Sequence, residues 1–384
     1  MSTDLFPSTT DEQRMMLDVV SRVFDTISPL DVVRAASEKS EPSSPELRRT
    51  LADVGCFGLL VDEAHGGGGL SINSVVDAAL VAAERGASLQ PGPFVGSSIT
   101  AHTLSRVGAA AHRVTLNSLI SGAAAATWAP DGLTGGTAGA VVSVDSGHVV
   151  LGGVIEAVQD ADECAVMLLS TPTDGGITQI LVPLSDKRIE LQRRGSLDIT
   201  RRFFDVHLSD VLLPMDAVLA DGAAGRALFE RQLAVAAVLS AAESIGAMDT
   251  DFGLAVEYAK SRIAFGRPIG SFQAVKHLLA NTGLMLEMAK SSTTAAAESV
   301  GNDSDDALAM ASMARMFVSE KSIELAHNCF QVFGGIGYTW EHDHHLFMRR
   351  LASDAYLFGS PTWHSRTVWA QSHHASHENR SIDV

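Results

Sequence analysis

One carboxylate, Glu243, stands in an apolar stretch of the sequence, VLSAAESIGAM. Burial among apolar side chains disfavours the charged form of a carboxylate, so the pKa of Glu243 is expected to be raised. A carboxylate with a raised pKa is suited to remove a proton near neutral pH. The alternative role is structural: Glu243 pairs with an arginine or lysine of a neighbouring helix, or lies at an interface.

Residues 341–345, EHDHH, carry side chains of the types that bind metal ions. Adjacent side chains on a helix point about 100° apart and rarely converge on one ion. The three cysteines, Cys56, Cys164 and Cys329, are scattered and form neither a CxxC pair nor a disulfide framework. We therefore expect no metal site and a reducing compartment.

The composition restricts the class of protein. The chain has 384 residues, of which 46% are hydrophobic and 19% charged, which allows a large core in two or three domains. Acidic residues outnumber basic ones by 45 to 28, giving a net charge of −17, so no nucleic-acid partner is expected. No run approaches 18 strongly apolar residues, and the start of the sequence lacks a basic region followed by an apolar one. We expect no membrane span, no secretory signal and a cytoplasmic location.

The sequence pattern changes twice along the chain. Residues 1–120 show the periodicity of helices, whereas residues 121–214 form short Val-, Ile- and Leu-rich segments typical of antiparallel strands in a small barrel or sandwich. Residues 215–376 contain long helices with short connections, which predicts a four-helix bundle. Residues 377–384 are expected to be a disordered tail. The predicted fold class is α+β and mostly helical, with a helical domain, a β domain and a bundle in that order.

This order, together with five strings, resembles the acyl-CoA dehydrogenase family of flavoproteins over nearly the whole chain. The strings are LADVGCFGLLVDEAHGGGGLS, VVLGGVIEAVQDADECAVMLL, FFDVHLSDVLLP, YAKSRIAFGRPIGSFQAVKHLLA and QVFGGIGYTWEHDHHLFMRRL. The resemblance implies FAD-dependent α,β-dehydrogenation of an acyl-CoA thioester, in which a carboxylate takes the α proton and the flavin N5 takes the β hydride. It also implies a homo- or hetero-oligomer, expected to be a tetramer, and electron-transfer flavoprotein or a similar acceptor.

The resemblance further assigns residues to the cofactor. Arg262 would meet the FAD pyrophosphate, and Phe265 would pack on the adenosine half of FAD. The rest of the groove would be lined by Gln273, Gln331, Gly334 and Gly335. In the family, these residues serve an FAD held mainly by a neighbouring subunit. The alternative for each is structural, since a lone helical arginine is usually solvated or ion-paired and Gly-Gly after a helix is usually a C-cap.

Two positions that hold the catalytic base in the family carry other residues here. One is the Glu of a "YEGT" string, and counting eight residues from Arg350 places Phe358 in that slot. The other lies on the first long bundle helix, 22 residues before Tyr258, and is Ala236, followed by Ala237 where an Arg is common. Neither phenylalanine nor alanine can accept a proton.

Two nearby carboxylates are the remaining candidates for a base. Glu243 lies seven residues after Ala236, on the same helix face and about 10 Å further along the axis. Glu230 is followed by Arg231, as in the family's "ER" site, but it comes six residues too early in an ungapped helix. Glu243 is therefore the better candidate.

The β domain also departs from the family. Members that hold their own flavin carry a string like "TEP.aGSD", whose Thr and Ser contact flavin and substrate, whereas this chain reads ATWAPDGLTGG. Thr127 and Pro130 are kept, Trp128 and Ala129 stand between them, and no Gly-Ser-Asp follows. Glu156 replaces the Lys of the family's "LnG.K" string. The chain thus keeps the groove that it would lend to a neighbour's FAD and has lost much of its own.

Three functions remain open on this basis. The ending LFGSPTWH resembles a bacterial branch in which some members are partner chains of heteromeric dehydrogenases for sterol side-chain CoA thioesters. The chain could be a catalytic dehydrogenase subunit, a non-catalytic partner subunit, or a flavin-dependent oxygenase on the same fold. Fold alone does not choose among them.

Overall fold

The N-terminal part of the chain is helical. The computed structural model describes residues 9–108 and 110–378, with side chains through residue 372. A capping box between Thr10 and Gln13 starts the first helix, and the Ser44 side chain caps the third, with Pro45 at its first position. The helices are α1 (Asp11–Ile27), α2 (Leu30–Lys39), α3 (Pro45–Asp53), α4 (Ser74–Ala87), α5 (Phe94–Val107) and α6 (Arg113–Ile120).

Two four-stranded sheets form the middle of the chain, in the orders β1-β4-β5-β8 and β2-β3-β7-β6. Their facing side chains, among them Leu151, Met167 and Val206, form one core cluster. One pair differs from the expected antiparallel arrangement, since β1 runs parallel to β4. The chain passes through the other sheet between these two strands, and this long connection allows them to run in the same direction. The strands are β1 (Ala126–Pro130), β2 (Ala140–Asp145), β3 (His148–Gln159), β4 (Val166–Thr173), β5 (Gly176–Pro183), β6 (Ile189–Arg194), β7 (Phe203–Pro214) and β8 (Val218–Ala220).

Four long helices and one short one make up the C-terminal part, and they confirm the predicted fold class. The last helix runs to residue 378, and the disordered tail expected from residue 377 stays a prediction. This helix starts at Pro361 under a Ser360 cap and meets no Gly or Pro that would end it earlier. Residues 379–384, the rest of the predicted tail, lie outside the described residues. The elements are α7 (Gly222–Ser261), β9 (Ile263–Ala264), β10 (Arg267–Pro268), α8 (Gln273–Gly301), α9 (Ala307–Phe333), α10 (His344–Asp354) and α11 (Pro361–Glu378).

Helix α7 is the central element of the fold. It packs against α4, α8, α9 and β5, and its residues from Leu233 to Met248 are buried on every side. A helix that is apolar all round is one that is enclosed by other elements. Among the described helices, α7 is the one that is long and apolar enough to cross a membrane by length and composition, but most of its apolar window is buried inside the protein. The expected absence of a membrane span stays a prediction.

Two buried histidines make the stability of this fold sensitive to acid. Burial lowers the pKa of His102 to about 4, although its Nδ1 donates to the Leu60 carbonyl at 2.8 Å. Burial likewise lowers the pKa of His364 to about 3, and the nearby Arg315 charge adds to this effect. Below the ordinary histidine pKa of about 6.5, the unfolded chain therefore binds protons that the folded chain does not.

We expect the contribution of these two histidines to lower the free energy of unfolding as the pH drops from about 6.5 towards 4, by up to about 1.4 kcal/mol per pH unit for each histidine. The buried Asp160, whose pKa burial raises to about 7, acts in the opposite direction over this range. His102→Asn keeps a donor for Leu60 and removes the titrating ring, so its pH profile should be flatter than that of the wild type. Urea unfolding at several pH values measures this difference. The exposed His148→Asn is the control, and a His102→Asn profile that matches it would contradict the prediction.

Candidate functional site

Glu243, the predicted base, is a buried, ion-paired carboxylate. Arg201 Nη2 lies 3.0 Å from its Oε2, and Arg350 Nη1 lies 3.3 Å from its Oε1. Burial alone would raise the pKa of Glu243, but the charges of Arg201, Arg350 and then Arg85 outweigh it and lower the pKa below its ordinary value. The expectation of a raised pKa is therefore wrong, because it rested on the apolar neighbours in sequence and omitted arginines from distant elements. The geometry favours the structural role.

The same two arginines pair with two further carboxylates. Arg350 Nε lies 2.8 Å from Asp198, and Arg201 Nη2 lies 2.9 Å from Asp354. We call these five side chains, Asp198, Arg201, Glu243, Arg350 and Asp354, the buried ionic cluster; each is almost completely excluded from solvent. The cluster joins α7, α10 and the loop between β6 and β7. Arg350 Nη2 also donates to the Leu89 carbonyl at 3.1 Å, which ties in the connection between α4 and α5.

Sequence reasoning missed Arg201 and its carboxylate partners. Arg201 lies in a loop of the β region, 42 positions before Glu243, so no helical spacing connects the two residues. One signal was present in the sequence. The segment DITRR places an aspartate, a threonine and two adjacent arginines just before a strand.

The two departures from the family pattern lie against each other. Phe358, in the slot of the "YEGT" base, is buried, and its ring centroid is 5.3 Å from that of Trp128. The indole also contacts Phe229 of α7 at 6.1 Å. Ala236, the second base position, is fully buried two turns beyond Phe229. Glu230 lies half-buried near the start of α7, more than three turns before Glu243.

The residues assigned to the cofactor groove share one end of the bundle. They sit where α7 ends, α8 begins and α9 ends, and the Tyr258–Phe333 ring contact at 5.5 Å joins the ends of α7 and α9. The structure thus brings together all six residues of the proposed groove: Arg262, Phe265, Gln273, Gln331, Gly334 and Gly335. Five of them are exposed and Gly334 is half-buried. Within the described part of the chain, the Arg262 side chain forms no ion pair.

Phe265 is presented by a tight hairpin. Ala264 pairs with Arg267, and the two residues between them, Phe265 and Gly266, have φ angles of 54° and 76°. Two positive φ angles define a type I′ turn, which glycine adopts freely and phenylalanine does not. The Phe265 ring is 94% exposed, so this strained position holds a large apolar side chain in solvent.

The histidines of residues 341–345 point to different partners. His344 Nδ1 lies 2.8 Å from Asp251, both fully buried, whereas His345 Nε2 lies 3.0 Å from the Trp340 carbonyl and Asp343 pairs with Arg34. Among the residues that the structure describes, no group of three or more His, Cys, Asp or Glu side chains is placed to hold a metal ion.

Comparison with known proteins places this architecture in a family. The model of the acyl-CoA dehydrogenase N-terminal domain matches residues 10–123, and that of the C-terminal domain matches residues 223–371. Acyl-CoA dehydrogenase IpdE2 of Mycobacterium tuberculosis is 33% identical over 356 residues, which is 91% of this chain and 94% of that protein. The chain belongs to the acyl-CoA dehydrogenase family. The family comprises oxidoreductases that act on CH–CH groups with FAD as their cofactor.

Solved structures of acyl-CoA dehydrogenases share the fold. Butyryl-CoA dehydrogenase from Megasphaera elsdenii superimposes with a TM-score of 0.87 at 20% identity, over 94% of this chain and 98% of that chain. A chain of the ChsE4-ChsE5 complex from Mycobacterium tuberculosis gives a TM-score of 0.86 at 22% identity, over 96% and 98%. At these identities the likeness concerns the fold alone.

Removing the charge of Glu243 should destabilise the protein. In Glu243→Gln, the buried Arg201 and Arg350 lose one of their carboxylate partners. Removing one partner of a buried ion pair lowers the free energy of unfolding by about 3–5 kcal/mol. Urea unfolding monitored by circular dichroism measures the loss. Glu257→Gln is the control, since Glu257 is exposed on the same helix and pairs with Lys260, an arrangement worth about 1 kcal/mol or less. Equal stabilities of the two variants would contradict the role given to the cluster.

Proposed function

We propose that this chain is a subunit of an oligomeric acyl-CoA dehydrogenase that completes an FAD site on a neighbouring subunit and does not supply the catalytic base. The observation that carries the proposal is the contrast between two regions. The groove residues are assembled and exposed at one end of the bundle, whereas both base positions of the family hold residues without a carboxylate. Such a chain fits the role of a partner subunit.

The exposed end of the bundle suits a dinucleotide. The Arg262 guanidinium offers charge-assisted hydrogen bonds to a pyrophosphate, and the exposed Phe265 ring offers an apolar surface to the adenosine half. Gly334 and Gly335 have open space where a Cβ would stand, so a ligand can approach their backbone closely. When bound, FAD supplies the hydride acceptor of the reaction.

Removal of the α proton is assigned to the partner. A general base must reach the proton within hydrogen-bonding distance, and Phe358 and Ala236 have no acceptor atom. Glu243 does not fit this task, because both its oxygens are paired with arginines that hold it in the charged form and lower its pKa. A neighbouring subunit with an intact base would therefore complete the reaction.

The substrate is proposed to be an acyl-CoA thioester, with sterol side-chain thioesters as the first class to test. The support for the sterol class is the resemblance of the LFGSPTWH ending to the bacterial partner-chain branch. The partner is proposed to be a different chain, since the base is missing here, and the acceptor an electron-transfer flavoprotein or a similar protein. Three free, buried cysteines agree with a cytoplasmic location.

The chain purified alone should carry well under one FAD per subunit. Its exposed groove residues would serve a cofactor held mainly by another chain, and its own flavin-contacting string is replaced. The absorbance of flavin relative to protein after gel filtration measures the stoichiometry. A lone homomer with one FAD per chain that oxidises an acyl-CoA would overturn the proposal.

Within the assembled complex, Arg262→Ala should lower FAD retention by about tenfold or more, because a charge-assisted contact is worth roughly 1.5–3 kcal/mol. Flavin content after dialysis gives the measurement. Lys260→Ala, which removes a cation two residues earlier at the exposed end of α7, is the matched control and should retain FAD. If both variants keep their flavin, the assignment of Arg262 to the pyrophosphate fails.

A further inference from the structure

We infer that the Trp128 side chain fills the position where this chain would hold a flavin of its own. Trp128 is then the residue that determines whether a flavin can bind there. This rests in part on the proposed function, and it gives a physical reason why the chain lacks a flavin site of its own. It starts from the contact between the replaced flavin string, which contains Trp128, and the replaced base slot, Phe358.

The space between these two positions is filled. In a working dehydrogenase the reacting carbons of the thioester lie between flavin and base, so the two positions need a gap. Here the rings of Trp128 and Phe358 are 5.3 Å apart at an interplanar angle of 31°, which is direct aromatic contact. A layer inserted between two rings would separate them to about 7 Å, twice a van der Waals contact of about 3.5 Å. No acyl chain and no flavin ring fits between them.

A hydrogen-bond network holds the indole in place. Trp128 Nε1 donates to Ser170 Oγ at 2.9 Å, and Ser170 Oγ in turn donates to Gln179 Oε1 at 2.7 Å. Gln232 of α7 donates to Thr103 Oγ1 at 3.0 Å and to Gln179 Oε1 at 3.2 Å. These polar groups are buried, and a buried group that loses its partner is costly. These hydrogen bonds hold the Trp128 side chain in one position, so it does not swing aside to admit a ligand.

Phe358 is fixed from the other side. It lies in the left-handed region with a φ of 59°, and the preceding Leu357 carbonyl accepts from Arg315 Nη2 at 3.3 Å. The following Gly359 has a φ of 123°, and a Cβ there would come within 2.9 Å of His364 Nε2. The loop thus needs glycine at residue 359 and has little freedom to withdraw the phenylalanine ring.

A cavity remains beside the Trp128 side chain. It has a volume of about 470 Å³ and is lined by Trp128, Phe358, Glu156, Arg194 and Tyr356. Glu156 stands where the family has a lysine, and it pairs with Arg194 at 3.4 Å. With Glu156 in place of that lysine, the cavity lacks a cation that would attract a diphosphate, which makes it a poorer site for FAD on grounds of charge.

The test uses the isolated full chain with riboflavin as the probe, because riboflavin carries the flavin ring without the diphosphate. Trp128→Ala should bind riboflavin at least tenfold more tightly than the wild type, as measured by quenching of flavin fluorescence. Trp128→Phe keeps an aromatic ring in the stack and should remain closed. Phe57→Ala removes a buried ring in the N-terminal region and controls for a cavity made elsewhere.

Trp128→Leu is the milder variant to use if Trp128→Ala does not fold, and circular dichroism checks both. A folded Trp128→Ala or Trp128→Leu protein without improved riboflavin binding overturns the inference, as does a wild-type chain that already binds riboflavin equally well. A separate measurement, FAD retention by the Arg262→Ala complex, tests the proposed function. Unchanged retention there counts against the proposed function whatever the riboflavin result is. That measurement concerns the lent groove, and the Trp128 variants leave this groove intact.

Discussion

The buried ionic cluster is the interaction on which the arrangement of the domains depends. Arg201 and Arg350 join a loop of the β region to α7 and α10, and Arg350 reaches the connection between α4 and α5. Charges buried without partners would cost several kcal/mol each, so the cluster is stable only when all of these elements are in place. All of the buried charges are therefore paired only when the N-terminal helices, the β region and the bundle are docked correctly.

The cluster also governs the region around Phe358. Asp354 pairs with Arg201 and ends α10, four residues before Phe358, and Arg315 donates to the backbone carbonyls of both Asp354 and Leu357. The loop that carries Phe358 is thus anchored at its start by charge. The β strand that carries Trp128 belongs to the region that Arg201 ties to the bundle. The contact between the two rings is set by elements that the cluster holds together.

The sequence alone was sufficient for the fold class because hydrophobic periodicity reports local burial. The period changes near residues 121 and 215 correspond to the strands and helices observed, and the apolar length of α7 reflects its central position. The pKa of Glu243 could not be predicted in this way. Its arginine partners lie 42 and 107 positions away, and only the folded chain shows that they converge on one carboxylate. The Trp128–Phe358 contact could not be predicted for the same reason. Each residue could be recognised in the sequence as a departure from the family pattern, but only the folded chain shows that the two rings are in contact.

For the proposed subunit role, the type I′ hairpin that carries Phe265 has a consequence for assembly. Both turn residues already have left-handed backbone angles within the single chain, so the ring would be oriented before the proposed partner subunit binds. The entropy of ordering this loop is then lost during folding and not during association, which favours a low dissociation rate once subunits meet. The cost is that the large apolar side chain of Phe265 is exposed to solvent in the single chain. Synthesis of this chain in step with the proposed partner subunit would limit the time for which that side chain is exposed.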